Sequence, residues 1–382
     1  MPIALVTNYL TAYRLPLYER LATAYDLEVL CFGGGERYVP TWFADLESQL
    51  SCAMFPARRL GGLREALRLG RRYDAVIAPF AGGPILPAAY LGAKRYGRPF
   101  ILWASVWAQP RSLTHAVSLP AVRHIYRHAD AVVAYGEHVK RFVTAIRGNE
   151  TGVFIAPQAV EAELFSAPID SYQIDRFRTD HQLAGPLVLY VGRLVPEKGI
   201  DVLLDAWSEV RQDATLALVG EGPLADRASA TPRTRVIGPL PRAALPLAYA
   251  TAEVVVLPSP ATPRFREPWG LVCNEAMHRG RPLVVTAAVG AAAGGLVRDG
   301  VTGLVVAPGD SRALAQAIDG LLDDPALRGR LGAAGRVAVG AFNYDAMADG
   351  FHRAISTALP GAQPRSADHR AGWPMNPGSN PR

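Results

Sequence analysis

The sequence predicts an α/β protein of two doubly wound, Rossmann-like domains, and three observations carry that expectation. Short β-branched runs alternate with longer amphipathic stretches along most of the chain, the pattern of parallel βαβ units. The alternation lapses between residues 167 and 185 into a polar stretch ending in Gly185-Pro186, a candidate linker. The chain is 382 residues long, which at about 100–200 residues per domain suits two domains.

In the first half, strands are expected at Ile3–Thr7, Leu27–Phe32, Ala75–Ala78, Phe100–Trp103, Ala131–Ala134 and Gly152–Ile155. Helices are expected at Leu15–Ala24, Gly62–Arg71, Leu86–Tyr96, Ala121–Arg127 and His138–Thr144. A second series follows the polar stretch. Its strands are Leu187–Val191, Leu216–Val219, Arg235–Ile237, Val254–Leu257, Leu283–Thr286 and Gly303–Val306. Its helices are Ile200–Val210, Arg242–Thr251, Leu271–Arg279, Ser311–Asp323 and Pro325–Val339. Sheets of this kind bind ligands beyond the carboxyl ends of their strands, so two of them are expected to face a central cleft. After Leu359 the chain is rich in Pro, Gly, Ser and Asn without periodicity, and residues 361–382 read as a disordered tail.

Composition narrows the function. With 49% hydrophobic and 19% charged residues, global disorder is excluded. Cys31, Cys52 and Cys273 are far apart and odd in number, so neither a disulfide framework nor a Cys-rich zinc site is read, as suits a reducing cytoplasm. The net charge of +6 favours anionic ligands or an anionic membrane surface but is too diffuse for nucleic-acid binding. The segment Met1–Asn8 has no basic n-region and reads as a strand, not a signal peptide. The uncharged run Ala75–Ala93 is broken by Pro79, Gly82, Gly83, Pro84 and Pro87, so a cytoplasmic protein, soluble or peripheral at the membrane, is expected.

Two segments carry chemistry. In Val191-Gly192-Arg193-Leu194-Val195-Pro196-Glu197-Lys198-Gly199 a strand ends in glycine, a cationic loop follows, and a glycine opens the next helix. A backbone without Cβ admits a phosphate closely, Arg193 can hold two oxygens and Lys198 acts as a point charge. Lysine is scarce, at three of 40 basic residues, which singles Lys198 out. Alone, the segment also suits an ordinary βα turn with solvated cations.

The second segment is Arg266-Glu267-Pro268-Trp269-Gly270-Leu271-Val272-Cys273-Asn274-Glu275-Ala276-Met277. A turn at Glu267–Gly270 feeds a helix whose first N–H groups can face an anion. Glu267 also suits the plain role of a favourable anion at a helix N-terminus. Glu275 lies among apolar residues, where a carboxylate needs a partner. The two glutamates are at most about 12 Å apart along the helix axis. That spacing suits separate duties along an extended ligand better than a hydrolase pair at about 5–9.5 Å.

These segments, with Gly220-Glu221-Gly222-Pro223, Asp299-Gly300-x-x-Gly303-Leu304 and Pro308-Gly309-Asp310, resemble the retaining GT-B glycosyltransferases of family 4. The likeness is dense from about Val188 to Leu322 and thinner before it. It implies an acceptor-binding domain over 1–168, a nucleotide-sugar domain over 169–342 and a crossover helix over 343–360 returning to the first domain. It implies that Arg193 and Lys198 hold the diphosphate of a UDP- or GDP-sugar co-substrate and that Glu275 holds the ribose hydroxyls. Glu267 would contact the donor sugar, with Gly192 and Glu221 lining the donor site and Trp269, Gly270 and Leu271 offering backbone N–H groups. Transfer with retention, without a metal or other cofactor, follows from the same resemblance. The acceptor would be a glycan or a lipid-linked sugar, as in polysaccharide biosynthesis.

The chain also departs from the family. After the first strand it has Asn8-Tyr9-Leu10-Thr11-Ala12-Tyr13-Arg14 in place of a glycine-rich loop, which makes Arg14 a candidate for the diphosphate or the acceptor. After Phe100–Trp103 it lacks the histidine common in the family, and Trp103 and Trp107 become candidates for stacking on an acceptor sugar or for plain packing. His124, His128 and Asp130 are read as a polar helix face, not a metal site. Ala57–Arg72, with six arginines and interleaved leucines, suits either an anionic lipid surface or a solvated helix over the core. Two rival functions remain open, a nucleotide-sugar 2-epimerase of the same fold and a non-catalytic sugar-nucleotide-binding protein. The complete set of Arg193, Lys198, Glu267 and Glu275 disfavours the second.

Overall fold

The computed structural model describes residues 1–33, 46–80, 83–109, 113–263 and 265–365. Of the tail expected over 361–382, residues 366–382 lie outside the described residues. The chain divides into two units, one of residues 1–107, 112–157 and 344–382, the other of residues 108–111 and 158–343.

The first unit is built on seven strands: β1 (Pro2–Thr7), β2 (Asp26–Cys31), β3 (Ala57–Arg59), β4 (Ala75–Pro79), β5 (Phe100–Ala104), β6 (Ala131–Ala134) and β7 (Val153–Ile155). Their order is β3-β2-β1-β4-β5-β6-β7, with every pairing parallel. Ile3 to Val6, Ala75 to Ile77 and Phe100 to Leu102 are fully buried. This is why these strands read as continuous apolar runs and not as alternating ones: helices cover both faces of a parallel sheet. The helix Tyr344–Ala358 packs on β5, β6 and β7 and beside the helix Leu15–Ala24, with Met347, Phe351 and Ile355 fully buried.

The second unit holds β8 (Leu187–Val191), β9 (Thr215–Val219), β10 (Thr234–Gly238), β11 (Val254–Leu257), β12 (Leu283–Thr286) and β13 (Leu304–Val306). Their order is β10-β9-β8-β11-β12-β13, again wholly parallel. In both sheets the strand order reverses between a first strand and the strand three later, β1 with β4 and β8 with β11. The crevice outside the carboxyl ends at such a reversal is where open α/β sheets bind ligands.

The structure corrects four local expectations. The polar stretch 167–185 contains the helix Ser171–Asp180, started by a capping box in which Asp170 accepts from the Gln173 N–H and the Gln173 side chain accepts from the Asp170 N–H. The break between units falls earlier, at Gln158, because Phe165 is buried against Tyr249 and the Arg279 guanidinium donates to the Phe165 and Ala167 carbonyls. Ala57–Arg72 does not form one helix over Gly62–Arg71. It gives the edge strand β3, a single turn at Leu63–Ala66 and a 3₁₀ turn at Leu69–Arg71. Finally, the helix expected over Ala121–Arg127 begins at Leu113 and carries Pro120 within it.

Candidate functional site

The site forms at the carboxyl ends of β8 and β11, and glycines make room for it. After β8 the chain turns at Gly192 (φ +151°), and after β9 at Gly220 (φ +145°). A Cβ on Gly220 would lie 1.9 Å from the Gly192 carbonyl oxygen, and one on Gly222 2.4 Å from that of Leu194. The two loops therefore touch backbone to backbone, and the Leu194 N–H donates to the Glu221 carbonyl at 2.8 Å. Tyr190, buried at the end of β8, donates to the Arg193 carbonyl at 2.9 Å and fixes the turn from beneath. The half-buried Arg193 side chain makes no hydrogen bond or ion pair among the described residues.

Lys198 ends a 3₁₀ turn (Pro196–Lys198) that Gly199 stops in the left-handed conformation, packed on the Pro258 carbonyl after β11. This packing brings Lys198 to the second segment. Its ammonium donates to Glu267 Oε2 at 2.5 Å and lies 5.5 Å from the Phe265 ring centroid. Ser259 Oγ donates to the same carboxylate oxygen at 3.1 Å, and Thr286 Oγ1, at the end of β12, donates to the Ser259 carbonyl at 2.5 Å. Lys198 thus reaches across 69 positions to a buried carboxylate that Ser259 also holds.

The backbone around Glu267 is held by the next loop. Glu267 bridges to Val289 in parallel, the Gly290 N–H donates to the Glu267 carbonyl at 3.0 Å and the Ala291 N–H to the Trp269 carbonyl at 2.7 Å. Gly270, with φ +91°, caps the helix Leu271–His278. The first N–H groups of a helix have no partner within it, and Glu267 lies just before this helix begins.

The Trp269 side chain is taken up by packing. Its ring is buried against Phe342 (centroids 5.6 Å apart), and its indole N–H donates to Asn274 at 2.7 Å, which in turn donates to the Gln158 carbonyl at 2.9 Å.

Glu275 lies one turn into the same helix, 5% exposed. Tyr249 donates to its Oε2 at 2.6 Å, and Arg242 stands 3.6 Å from its Oε1 while also pairing with Glu161. Burial pushes the Glu275 carboxyl above the usual carboxylate range, and Tyr249 and Arg242 pull against that shift. Burial, with Glu275 beside it, drives the Tyr249 hydroxyl well above its ordinary value, so it stays a donor.

Ser259, Gly290, Tyr249, Arg242 and Glu161 are site residues that the linear reading did not find. Only the position of Ser259, directly after a strand, offered a local signal.

In the first unit, Arg14 and Trp103 come together and Trp107 stands apart. Arg14 follows β1, is 7% exposed, and sets its guanidinium 4.5 Å from the Trp103 ring and 5.2 Å from those of Tyr13 and Tyr135. It donates to the Tyr135 hydroxyl at 2.9 Å and contacts Met347 Sδ at 3.8 Å. Trp103 is buried edge-on to Phe351 at 5.1 Å, so stacking on an acceptor sugar gives way to packing under the helix Tyr344–Ala358. Trp107, half-buried, meets the buried His138 ring edge-on at 5.2 Å. Among the described residues no group of three or more His, Cys, Asp or Glu side chains could hold a metal ion, and no helix is long and apolar enough to cross a membrane.

Comparison with known proteins bears on this geometry. Residues 185–324 match the family model described as glycosyl transferases group 1, a span that contains Arg193, Lys198, Glu267 and Glu275. The alpha-D-kanosaminyltransferase of Streptomyces kanamyceticus is 29% identical over 295 residues, covering 70% of this chain and 73% of that protein. The GDP-mannose-dependent alpha-(1-6)-phosphatidylinositol monomannoside mannosyltransferase of Mycolicibacterium smegmatis is 31% identical over 274 residues, covering 66% of this chain and 69% of that protein. Among solved structures, Anabaena HepE in complex with UDP and glucose superposes with a TM-score of 0.76 at 20% identity, over 94% of this chain and 100% of that one. The fold is therefore GT-B, as the motifs implied. With a donor-domain match and a relative above 30% identity along two thirds of its length, the chain belongs to the group 1 glycosyltransferases and is a transferase enzyme.

Proposed function

We propose that the enzyme transfers a sugar, with retention of anomeric configuration, from a UDP- or GDP-sugar to a glycan or lipid-linked acceptor. The observation that carries the reading is the juxtaposition of Lys198, Glu267 and the N-terminus of the helix Leu271–His278, with Arg193 on the adjoining loop. Two cations and a helix N-terminus suit a diphosphate that gains charge as the glycosyl bond breaks. Glu267, held on Lys198 and Ser259, presents a carboxylate to the donor sugar, and Glu275 accepts from ribose hydroxyls. Relatives favour such a donor: one is named as GDP-mannose-dependent, and another was solved with UDP and glucose.

The chemistry is assigned to the chain's own cations, so no metal step enters. Turnover is expected to survive a chelator, and a strict divalent-ion requirement would overturn that assignment. The direct test is a thermal-shift panel of UDP-, GDP- and ADP-sugars. A bound donor stabilises by RT ln(1 + [L]/Kd), about 2.7 kcal/mol at a hundredfold excess over Kd. Stabilisation by UDP- or GDP-sugars, followed by transfer to an acceptor, supports the reading, and isomerisation of the donor without transfer refutes it.

Glu275 adds a pH dependence. Its ionised form accepts from the ribose, and burial raises its pKa, so donor affinity should fall on acidification at a higher pH than for an ordinary exposed carboxylate. Tyr249→Phe removes a hydrogen bond that lowers this pKa and should move the midpoint further up. Glu275→Gln should flatten the profile, as read by isothermal titration with the nucleotide across the acidic range.

A further inference from the structure

On the first unit, large hydrophobic side chains are exposed on neighbouring elements. Leu63 and Leu67 are 44% and 41% exposed on the Leu63–Ala66 turn and its end, and Leu91 and Tyr96 are 55% and 37% exposed on and just after the helix Ile85–Lys94. The two elements meet backbone to backbone. A Cβ on Gly92 would lie 2.0 Å from the Ala66 carbonyl oxygen, and one on Gly70 would lie 2.6 Å from that of Gly92 and 3.0 Å from Tyr96 Cβ. That approach makes one seam of what the chain order presents as two separate segments.

Arginines line the seam. Arg64, Arg68, Arg71 and Arg95 are exposed and make no side-chain hydrogen bond or ion pair among the described residues. Arg58, by contrast, is fixed by Glu28 and Glu65, and Arg98 by Asp74. Glu28, Glu65 and Asp74 are thus engaged, and four arginines without a described partner lie in the same segments as the exposed apolar side chains.

We propose that this seam is a membrane-docking surface for an anionic bilayer, with Leu63, Leu67, Leu91 and Tyr96 entering the headgroup–acyl boundary and Arg64, Arg68, Arg71 and Arg95 contacting acidic headgroups. Charge complementarity selects the occupant. A second copy of the chain would place like-charged arginines against one another, whereas lipid phosphates neutralise them and the leucines gain apolar contact. The proposal does not rest on the proposed reaction and stands or falls separately from it.

The test is co-sedimentation of the full chain with phosphatidylglycerol-containing vesicles and with vesicles of phosphatidylcholine alone, at low and high salt, with static light scattering of the lipid-free protein. Binding to the anionic vesicles alone, weakened by salt, is expected. The triple variant Arg64→Gln/Arg68→Gln/Arg71→Gln should lose on the order of 100-fold in affinity. Leu67→Gln/Leu91→Gln should lose about tenfold or more, with the far-ultraviolet circular dichroism spectrum unchanged in both variants. Equal binding to neutral vesicles, no vesicle binding, unaltered binding by the arginine variant, or a dimer that the leucine variant dissociates would each overturn the proposal.

Discussion

Lys198→Ala is expected to cut turnover by about 10²–10³-fold, the cost of removing one positioned cation from a developing anionic leaving group. The same substitution strips Glu267 of its ammonium partner, while the Ser259 hydroxyl still donates to it at 3.1 Å. Glu267→Gln should therefore be comparably deleterious to turnover, although it keeps the shape of the site. Both variants should remain folded, because the Lys198 side chain retains partial solvent access and the pair sits beyond the strand ends. Steady-state kinetics beside a thermal melt separates the two effects. Near-normal turnover in either variant would remove the pair from the mechanism.

Gly290→Ala carries the second large expected effect, through a different route. Its Cβ would fall 2.1 Å from the Pro268 carbonyl oxygen and 2.8 Å from Trp269 Cα, and neither is the movable end of a side chain. The turn that presents Glu267 must then move away from the loop after β12, breaking the Gly290 N–H bond to the Glu267 carbonyl and the Ala291 N–H bond to the Trp269 carbonyl. Overpacking of this kind costs about 1–3 kcal/mol, or several degrees in Tm for a domain of this size. Donor affinity should fall more than stability alone accounts for, since the displaced segment carries Glu267 and the helix N-terminus. A variant with unchanged melting temperature and unchanged nucleotide affinity would show that the contact is not a constraint.

The two substitutions differ in how visible they were in the linear chain. Lys198, Glu267 and Glu275 stand out by residue type: a scarce lysine after a strand and glycine, and two carboxylates around the start of an apolar helix. Gly290 sits in the alanine-rich run Gly290-Ala291-Ala292-Ala293, where its lack of a side chain looks incidental. The close approach of Pro268 that requires it comes from another loop. Arg242, Tyr249 and Glu161 belong to the same class, since Tyr249 meets Glu275 across 26 residues and Arg242 meets Glu161 across 81.

The misread segments have local causes. Residues 167–185 are polar enough to look like a linker, yet Asp170 and Gln173 form a capping box, which supports a helix whose one buried residue is Phe177. Ala57–Arg72 had the composition of an amphipathic helix, but β3 pairs with β2 through Arg58 and Arg59, and the positive φ of Gly62 separates strand from turn. Arg14 and Trp103 were plausible ligand contacts by position and are instead packed on one another beneath a helix that arrives from residues 344–358.

By itself the sequence pointed to the two parallel sheets, because strand periodicity and glycine punctuation are local properties, and its motifs resembled those of the glycosyltransferase family that the comparisons show. The tertiary structure alone decided that Lys198 and Glu267 lie within hydrogen-bond distance, that Glu275 is clamped by Tyr249 and Arg242, and that Arg14 is buried. Each of those depends on segments tens to hundreds of residues apart meeting at a strand end. Distances of that kind are set by sheet order and backbone packing, which no local pattern encodes.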